Sequence, residues 1–227
     1  MHYPTTGRAP GLKHDPFKAL VVPRPIGWIA TVDADGRPNL APYSFFNGVS
    51  DRPPMVMFAS AGHKDTLRNV QATGEFTCSL ATHALRDAMN LSSAAVAPGV
   101  DEFRLAGVTP APSLKVRPPR VAESPAALEC KVWQVIPLPA PPARPGATQA
   151  PEGYTLVIGE VLAVYIDDAY VADGIVDTAR MQPLARLGYM DYSTVTADVM
   201  FTLNRPVASP DGQSASVQPG PWDGVYR

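Results

Sequence analysis

Apolar and β-branched residues along the chain fall into short runs, and prolines and glycines separate those runs from one another. Runs of this length, bounded by residues that break regular structure, predict strands rather than long helices. Six runs are also rich in the β-branched and aromatic residues that pack well on a pleated sheet. They cover residues 27–32, 39–44, 55–60, 75–80, 128–136 and 155–166. The fold class is therefore predicted to be mainly β, as a barrel or a sandwich.

Three shorter segments complete the predicted core. Residues 33–38 (DADGRP) form a turn cluster that predicts a hairpin between the first two strands. Residues 65–72 and 83–91 carry apolar side chains at helical spacing, as at Leu67 and Val70. We expect these two short helices to cap the barrel.

Two proline-rich segments lie outside this core. The prolines within residues 137–151 cannot donate ladder hydrogen bonds, which predicts an exposed loop between the last two strands. The tail, residues 205–227, contains Trp222 and Tyr226, and aromatic residues in a tail are more often docked than free. We therefore expect one domain over residues 1–204, followed by a tail that covers a neighbouring subunit.

The composition narrows the class of protein. The 227 residues are 45% hydrophobic and 18% charged, which is typical of a soluble globular domain. The formal net charge of −2 provides no broad positive surface for a nucleic-acid backbone, so no nucleic acid is expected as a partner. No window has the apolar length of a membrane span and the N-terminus lacks a signal-peptide pattern, so a cytoplasmic location is expected.

Several enzyme classes lose support because their motifs are missing from the sequence. It contains no G-x-S-x-G, H-E-x-x-H, G-x-x-x-x-G-K-[ST] or G-x-G-x-x-G pattern. Cys78 and Cys130 lie in apolar stretches typical of buried thiols, and no two of the four histidines have metal-ligand spacing. The sequence therefore predicts no metal site, and no residue is assigned as a catalytic acid, base or nucleophile.

The segment PRPIGW places a cation on a stiff backbone. Arg24 lies between Pro23 and Pro25, directly before the first predicted strand, so its side chain projects from a fixed place. A fixed arginine suits an anionic ligand. The competing interpretation is that Arg24 is only a solvent-exposed charge on the stiff segment that precedes the strand.

The segment APYSFFNGVS combines polar groups with a flat apolar surface. It follows a predicted strand, contains Ser44, Phe45 and Phe46, and carries a turn signal at Asn47-Gly48. We expect a loop whose amides, hydroxyl and carboxamide meet the mixed polar and apolar character of a flavin ring. The competing interpretation is a hairpin turn with two core phenylalanines.

The segment GHKDT leads from a predicted strand into a predicted helix. Free amides and the positive end of the helix dipole attract phosphate at such an N-terminus, and Lys64 adds a full positive charge beside Asp65 and Thr66. The competing interpretation is ordinary capping of the helix by Asp65 or Thr66, with Lys64 solvated.

Taken in order, these motifs resemble one family. PRPIGWIATVDADGRPNLAPYSFFNGVSDRPPMVMFAS, KDTLRNVQATGEF, DEFRLAGVTP, PPRVAESPAALEC and IGEVLAVYIDD closely resemble the flavin reductase-like, FMN-binding split-barrel family, over about residues 15–200. The resemblance implies a Greek-key split β-barrel that forms a homodimer, with one FMN in each cleft at the subunit interface; FAD is the alternative cofactor.

The resemblance also implies which residues hold the cofactor. Arg24 and the APYSFFN residues Ser44, Phe45, Phe46 and Asn47 would line the isoalloxazine and ribityl chain. The residues Lys64, Asp65 and Thr66 would hold the phosphate.

The activity that the resemblance implies is hydride transfer from NADH or NADPH to flavin N5, so the chain is expected to be an NAD(P)H-dependent flavoprotein oxidoreductase. A monooxygenase is one expected recipient of the electrons. In PLARLGYMDY the family usually has a second glycine after RLG, where this chain has Tyr189. Arg186 of the same segment is expected to touch cofactor or substrate, and the competing interpretation is a salt bridge near the subunit interface. A bulky residue there would narrow the nicotinamide space, which keeps a second hypothesis open: a non-enzymatic FMN electron carrier that a partner protein reduces.

Overall fold

The computed structural model describes residues 1–5, 10–140 and 152–224. It contains two compact units, Met1–Val195 and Thr196–Arg227. Most of the proline-rich segment predicted as a loop, from residue 141 to residue 151, lies outside the described residues, as does Tyr226. The division into a domain of residues 1–204 and a docked tail stays a prediction.

Short helices and many strands make up the chain. The helices are α1 (Phe17–Leu20), α2 (Asp65–Thr73), α3 (Arg86–Leu91), α4 (Glu102–Ala106) and α5 (Thr178–Met181). Turns of 3-10 helix lie at His83–Leu85, Asp168–Tyr170 and Ala197–Val199. The strands are β1 (Arg24–Pro25), β2 (Gly27–Val32), β3 (Pro38–Tyr43), β4 (Phe46–Asp51), β5 (Pro54–Ala61), β6 (Glu75–Leu80), β7 (Pro110–Ala111), β8 (Arg120–Val121), β9 (Ala126–Pro137), β10 (Tyr154–Ile166), β11 (Val171–Ala172), β12 (Ile175–Val176), β13 (Leu184–Arg186), β14 (Tyr192–Thr194), β15 (Val207–Ala208) and β16 (Ala215–Ser216). No helix among the described residues has the length and apolar character needed to cross a membrane.

A seven-stranded antiparallel sheet organises the first unit. Its strand order is β3-β2-β6-β9-β10-β5-β4. A second sheet of three strands, β1-β13-β14, joins the segment before β2 to the end of the unit. All six strands predicted from the sequence are present as β2, β3, β5, β6, β9 and β10. The predicted hairpin is confirmed as well, since β2 and β3 pair from Gly27↔Tyr43 to Val32↔Pro38.

The core lies on both faces of the sheet. Every residue of β2 is buried, so its alternating side chains enter two clusters. Trp28 packs with residues of α3 and α4, including Met89 and Phe103. Ile29 packs on the other face, in a cluster that α2 covers with Leu67. The face that α2 covers is the one beside the candidate site.

The expected loop after β3 is wrong in one respect. Asn47-Gly48 does not form a turn, because both residues lie in β4, which pairs with β5 from Phe46↔Phe58 to Asp51↔Pro54. The ring of Phe46 lies against Gly27, where a Cβ atom would come within 2.4 Å of it. This packing between distant segments outweighs the local turn preference, and the turn falls instead between Asp51 and Pro54.

The two predicted helices are present with changed bounds. The first extends by one residue to Thr73 and ends at Gly74, whose φ of +72° favours glycine. The second predicted helix, residues 83–91, divides into a 3-10 turn followed by α3.

The second unit contains the β15–β16 hairpin, in which Val207 pairs with Ser216. Asn204 ties the two ends of this unit together, since its Nδ2 donates to the carbonyl oxygen of Pro221 at 2.9 Å.

Candidate functional site

A cleft of about 450 Å³ opens between the end of β3, the start of α2 and the segment after α3. Two of the segments singled out from the sequence meet in it, although 18 residues of chain lie between Phe45 and Lys64. Five of the predicted site residues line this cleft: Ser44, Phe45, Lys64, Asp65 and Thr66. The exposed ammonium-bearing residue Lys18 of α1 and the aromatic Tyr154 of β10 also line it. The sheet pairing of β4 with β5 and β5 with β10 brings these elements together.

The N-terminus of α2 forms one wall of the cleft. Lys64 is the extended residue before the first helical turn, and no side chain caps the helix. Of the competing interpretation, the capping by Asp65 or Thr66 is not observed among the described contacts, whereas the expected exposure of Lys64 is. Thr66 is buried and its Oγ1 accepts a hydrogen bond from Nδ2 of Asn39 at 2.9 Å. The first backbone amides of an α-helix have no partner within the helix, so they are available to an anion in the cleft.

The charge of Asp65 is balanced within the same helix. Its Oδ1 lies 2.6 Å from Nη2 of Arg68, one turn further along. Its Oδ2 accepts a long hydrogen bond of 3.4 Å from the amide of Gly99. Because the carboxylate is paired, Lys64 and Lys18 leave this wall attractive to a negative group.

The floor of the cleft contains a buried hydroxyl group without a hydrogen bond of good geometry. Tyr43 is 7% exposed and packs on Phe58, with 4.8 Å between ring centroids. Its hydroxyl group has the hydroxyl groups of Thr66 and Ser60 near it but makes no hydrogen bond of good geometry with a described residue. Burial raises the pKa of this phenol, so it remains a hydrogen-bond donor at neutral pH. An unsatisfied buried hydroxyl costs about 1–3 kcal/mol, and an acceptor in the cleft would recover that cost.

A buried carboxyl group lies near the same floor. Glu102 at the start of α4 is buried, and its Oε2 accepts a hydrogen bond from the amide of Leu40 at 3.1 Å. Burial is the main cause that raises the pKa of Glu102, and the nearby carboxylates of Asp65 and Asp101 raise it further. The carboxyl group therefore holds a proton to higher pH than an exposed glutamate does.

Arg24 does not line the cleft. Its guanidinium is buried and donates to the carbonyl oxygens of Lys18, at 2.7 Å, of Val21, and of Leu187, at 3.0 Å. The Nε atom has no partner among the described residues. The guanidinium carbon lies 5.8 Å from the centre of the Phe45 ring. Arg24 thus fixes α1 and the segment after β13 behind the cleft wall.

The remaining predicted residues divide into two groups. Phe45 lies at the bend between β3 and β4, and its ring meets Tyr154 edge-on at 5.6 Å. Phe46 points away into the contact with Gly27. Asn47 is exposed, and its Oδ1 accepts from the amide of Gly48 at 2.9 Å. The structure brings Phe45 into the cleft but neither of the two residues that follow it.

Arg186 and Tyr189 lie outside the described cleft. The Nη2 atom of Arg186 donates to the carbonyl oxygen of Tyr189 at 2.6 Å, and its Nη1 contacts the hydroxyl group of Tyr192. Tyr189 has a φ of +52°, a left-handed conformation that favours glycine. Its ring is 54% exposed and lies 5.7 Å from the ring of His14.

Sequence reasoning missed several cleft residues. Among these are Lys18, Asn39, Tyr43, Ser92 and Glu102. A usable signal existed for two of them, because a strand places alternate residues on one face and β3 therefore directs Asn39, Ala41 and Tyr43 to the same side. No comparable signal exists for Glu102, which reaches the cleft through the packing of α4 against β3. Within the described part of the chain, no three His, Cys, Asp or Glu side chains converge on one point.

Comparison with known proteins shows which family the chain is similar to. The profile of one protein family, described as flavin reductase like domain, matches residues 19–185. An uncharacterized protein of Deinococcus radiodurans is 35% identical over 216 residues, which cover 90% of this chain and 89% of that protein. The residues that the family profile matches include β3 and the start of α2, which both line the cleft.

Solved structures agree with that match. Nitrilotriacetate monooxygenase component B from Bacillus cereus has 27% sequence identity and a TM-score of 0.74, over 89% of this chain and all of that one. The 2-nitrobenzoate 2-nitroreductase NbaA from Pseudomonas fluorescens has 26% identity and a TM-score of 0.75, over 92% of this chain and all of that one.

Proposed function

The chain belongs to the flavin reductase like domain family and has its split β-barrel fold, and on that premise we propose that it binds FMN in the cleft beside α2 and uses it as an NAD(P)H-dependent oxidoreductase. The family and the mainly β fold class predicted from the sequence are thereby confirmed. Membership also supports a flavin oxidoreductase in general. The nucleotide donor, the binding residues and the assembly are parts of the proposal.

The phosphate end of FMN fits the wall at α2. Lys64 provides a positive charge, and the first turn of the helix provides free amides. The hydroxyl group of Tyr43 is the observation that carries the proposal, because it is a buried donor on the floor of the same cleft that makes no hydrogen bond of good geometry with a described residue. A phosphate or ribityl oxygen would accept its hydrogen bond. Because Asp65 is paired with Arg68, its carboxylate repels that phosphate less strongly.

The ring end of FMN fits the wall at the bend after β3. Phe45 and Tyr154 provide apolar surface there, and Ser44 provides a hydroxyl group. A flavin held by these residues would supply the redox chemistry, which is hydride transfer from NADH or NADPH to flavin N5 followed by onward electron transfer. The protein contributes orientation and exclusion of water, so no acid or base residue is assigned.

A homodimer with the cleft at its interface is part of the proposal. The segment around α1 exposes apolar side chains, with Phe17 57% and Leu20 75% exposed. Lys18 between them lines the cleft. Exposed apolar residues grouped in this way are typical of an interaction surface, and a second copy of the chain would cover them beside the cofactor.

The recipient of the electrons is proposed by analogy. Component B of nitrilotriacetate monooxygenase, by its name, works with another component. We infer that the present chain likewise delivers electrons to a partner enzyme, with a monooxygenase as the first candidate. Localisation in the cytoplasm is part of the same proposal, because the nucleotide donors are found there.

Anaerobic stopped-flow mixing tests the proposed function. Purified protein saturated with FMN should show the two-band spectrum of oxidised flavin, and NADH or NADPH should bleach it. Failure to take up FMN would contradict the whole proposal. If FMN binds but neither nucleotide reduces it while a protein donor does, the electron-carrier hypothesis replaces the enzymatic one.

The variant Lys64→Ala tests the placement of the phosphate. We expect FMN binding to weaken by about 1.5–3 kcal/mol, the range for hydrogen bonds to charged groups. Lys131 is an exposed lysine of β9 outside the cleft, so Lys131→Ala is the matched control and should leave the affinity unchanged. If Lys64→Ala and Lys131→Ala bind FMN with equal affinity in a fluorescence titration, the phosphate does not lie beside Lys64.

A further inference from the structure

Three positively charged side chains lie around the aromatic ring of Phe45. The Nζ atom of Lys18 lies 5.9 Å from the centre of that ring, and the guanidinium carbon of Arg24 lies 5.8 Å from it. Arg186 is the direct partner of Arg24 across the pairing of β1 with β13. Lys18 and Phe45 both line the cleft. The cleft therefore has a cationic end at Phe45, in addition to Lys64 at the start of α2.

No carboxylate neutralises these three cations within the described part of the chain. None of the salt bridges found there includes Lys18, Arg24 or Arg186. Arg24 and Arg186 donate instead to neutral groups, mainly backbone carbonyl oxygens. Such partners satisfy the hydrogen-bond donors but leave the positive charges in place. Positive charges gathered without counter-ions favour a negative group beside them.

The two acidic residues that line the cleft, Asp65 and Glu102, provide little compensation. The carboxylate of Asp65 is already paired with Arg68 in α2. Burial raises the pKa of Glu102, so this carboxyl group holds its proton to higher pH than an exposed glutamate does. The end of the cleft at Phe45 thus remains suited to a ligand that carries negative charge there.

The flavin ring meets that description only after reduction. In the proposed placement the ring lies against Phe45 and Tyr154, at the end of the cleft that Lys18 borders. The oxidised ring is neutral. Hydride transfer brings two electrons and one proton to N5, so the ring gains one negative charge while the nicotinamide gains one positive charge. A cation beside the ring therefore stabilises the reduced state more than the oxidised state.

We propose that Lys18, reinforced by the buried charge of Arg24, makes the cleft bind reduced FMN more tightly than oxidised FMN. The flavin then stays on the protein after reduction. Electrons reach the partner enzyme through contact with the bound cofactor, and not through free reduced flavin. This rests on the proposed function, because the position of the ring is taken from it.

Substitution of Lys18 tests the proposal with little risk to the fold. The side chain is exposed, and the hydrogen bond from Arg24 reaches the backbone carbonyl oxygen of Lys18, which every variant retains. Lys18→Met removes the charge, whereas Lys18→Arg keeps it. Lys131→Met is the matched control, since Lys131 is an exposed lysine outside the cleft.

Two dissociation constants are measured on apoprotein. Fluorescence titration gives the Kd for oxidised FMN, and anaerobic equilibrium dialysis gives the Kd for chemically reduced FMN. We expect the wild-type protein to bind reduced FMN about tenfold more tightly or better, which places the two-electron midpoint potential of bound FMN about 30 mV or more above that of free FMN. Spectroelectrochemistry measures that potential independently.

The variants should differ in this preference. We expect Lys18→Met to lower the ratio of the two Kd values by about threefold or more, a moderate effect because solvent and salt screen an exposed charge. Lys18→Arg and Lys131→Met should keep the ratio of the wild-type protein.

The proposal is overturned if the wild-type protein binds both oxidation states equally or favours oxidised FMN. It is also overturned if the ratio for Lys18→Met matches that for Lys131→Met. Equal weakening of both oxidation states by Lys18→Met would overturn it as well, because Lys18 would then serve the phosphate. Failure of the wild-type protein to bind oxidised FMN is a different result, since it removes the proposed function itself.

Discussion

Arg24 and Arg186 are direct partners across the antiparallel pairing of β1 with β13. Two like charges in such a position repel each other, and the structure compensates with carbonyl oxygens. Burial lowers the pKa of Arg24, and the positive charge of Arg186 lowers it further. The guanidinium of Arg24 nevertheless donates to the carbonyl oxygens of Lys18, Val21 and Leu187. Arg24 thus fixes the segment after β13 and also α1, whose Lys18 lines the cleft.

Arg24→Met should destabilise the protein, because it leaves three partly buried carbonyl oxygens without their donor. We expect a loss of about 2–4 kcal/mol in the free energy of unfolding, measured in urea. Arg52→Met is the control, since Arg52 is 91% exposed in a loose ion pair of 3.8 Å, and it should change stability by less than about 0.5 kcal/mol. If Arg24→Met is as stable as the wild-type protein, water donates hydrogen bonds to these carbonyl oxygens as well as Arg24 does.

Tyr43→Phe separates binding from stability. The hydroxyl group makes no hydrogen bond of good geometry with a described residue, so its removal should leave the apoprotein equally stable or more stable by up to about 1 kcal/mol. FMN affinity should fall by about 0.5–1.5 kcal/mol, because the bound cofactor loses a hydrogen bond. Thermal unfolding and fluorescence titration measure the two effects.

Tyr170→Phe is the control for this pair of measurements, since Tyr170 lies in a 3-10 turn outside the cleft. A Tyr43→Phe protein that is destabilised but binds FMN normally would refute the proposed contact.

Glu102→Gln should change how stability depends on pH. The pKa of Glu102 is raised in the folded state, so above the ordinary value of about 4.3 the folded protein binds more protons than the unfolded chain. Stability is then lost as pH rises through the folded pKa. Glutamine cannot ionise, so Glu102→Gln should gain stability relative to wild type at pH 7 but not at pH 4.

Urea unfolding at several pH values measures that difference. Asp87→Asn replaces a carboxylate that is 91% exposed on α3 and should show no comparable trend. A difference between Glu102→Gln and wild type that stays constant from pH 4 to pH 7 would contradict the explanation.

Leu20→Asp tests the proposed interface. Placing a charge where a partner subunit would bury leucine should cost roughly 3–6 kcal/mol per symmetric dimer. We expect a monomer in light scattering after gel filtration, and weaker FMN binding because the cleft loses its neighbour. Leu114 is similarly exposed, at 79%, and Leu114→Asp should stay dimeric. A Leu20→Asp dimer with normal affinity would place the interface on another surface.

The sequence predicted those parts of the fold that depend on local pattern. The strand Gly27–Val32 and the strand Glu75–Leu80 were predicted with the bounds observed. Both are short runs rich in β-branched and aromatic residues between turn signals, so local composition is enough to predict them. The same holds for the start of α2 at Asp65, where a small-residue loop precedes an amphipathic stretch.

Contacts between distant segments determined the rest. Asn47-Gly48 has the sequence of a turn, but pairing with β5 and the space above Gly27 hold it in a strand. Arg24 was expected to face a ligand, and the carbonyl oxygens that surround it come from segments up to 163 residues away. Glu102 joins the cleft through tertiary packing alone. No pattern within a window of sequence contains that information.

Tyr189 gives the last prediction, because its backbone and its side chain can be tested separately. Its φ of +52° lies in the left-handed region, in a tight loop where Asp191 donates from its amide to the carbonyl oxygen of Gly188 at 3.0 Å. Alanine retains the strain of that conformation and glycine relieves it, so Tyr189→Gly should be more stable than Tyr189→Ala by about 1 kcal/mol. Both variants remove the ring, so both should raise kcat/KM for NADH equally if the ring narrows the approach of nicotinamide. If kcat/KM for NADH instead differs between the two variants in the same direction as their stability, the effect is due to the loop backbone and not to the aromatic ring.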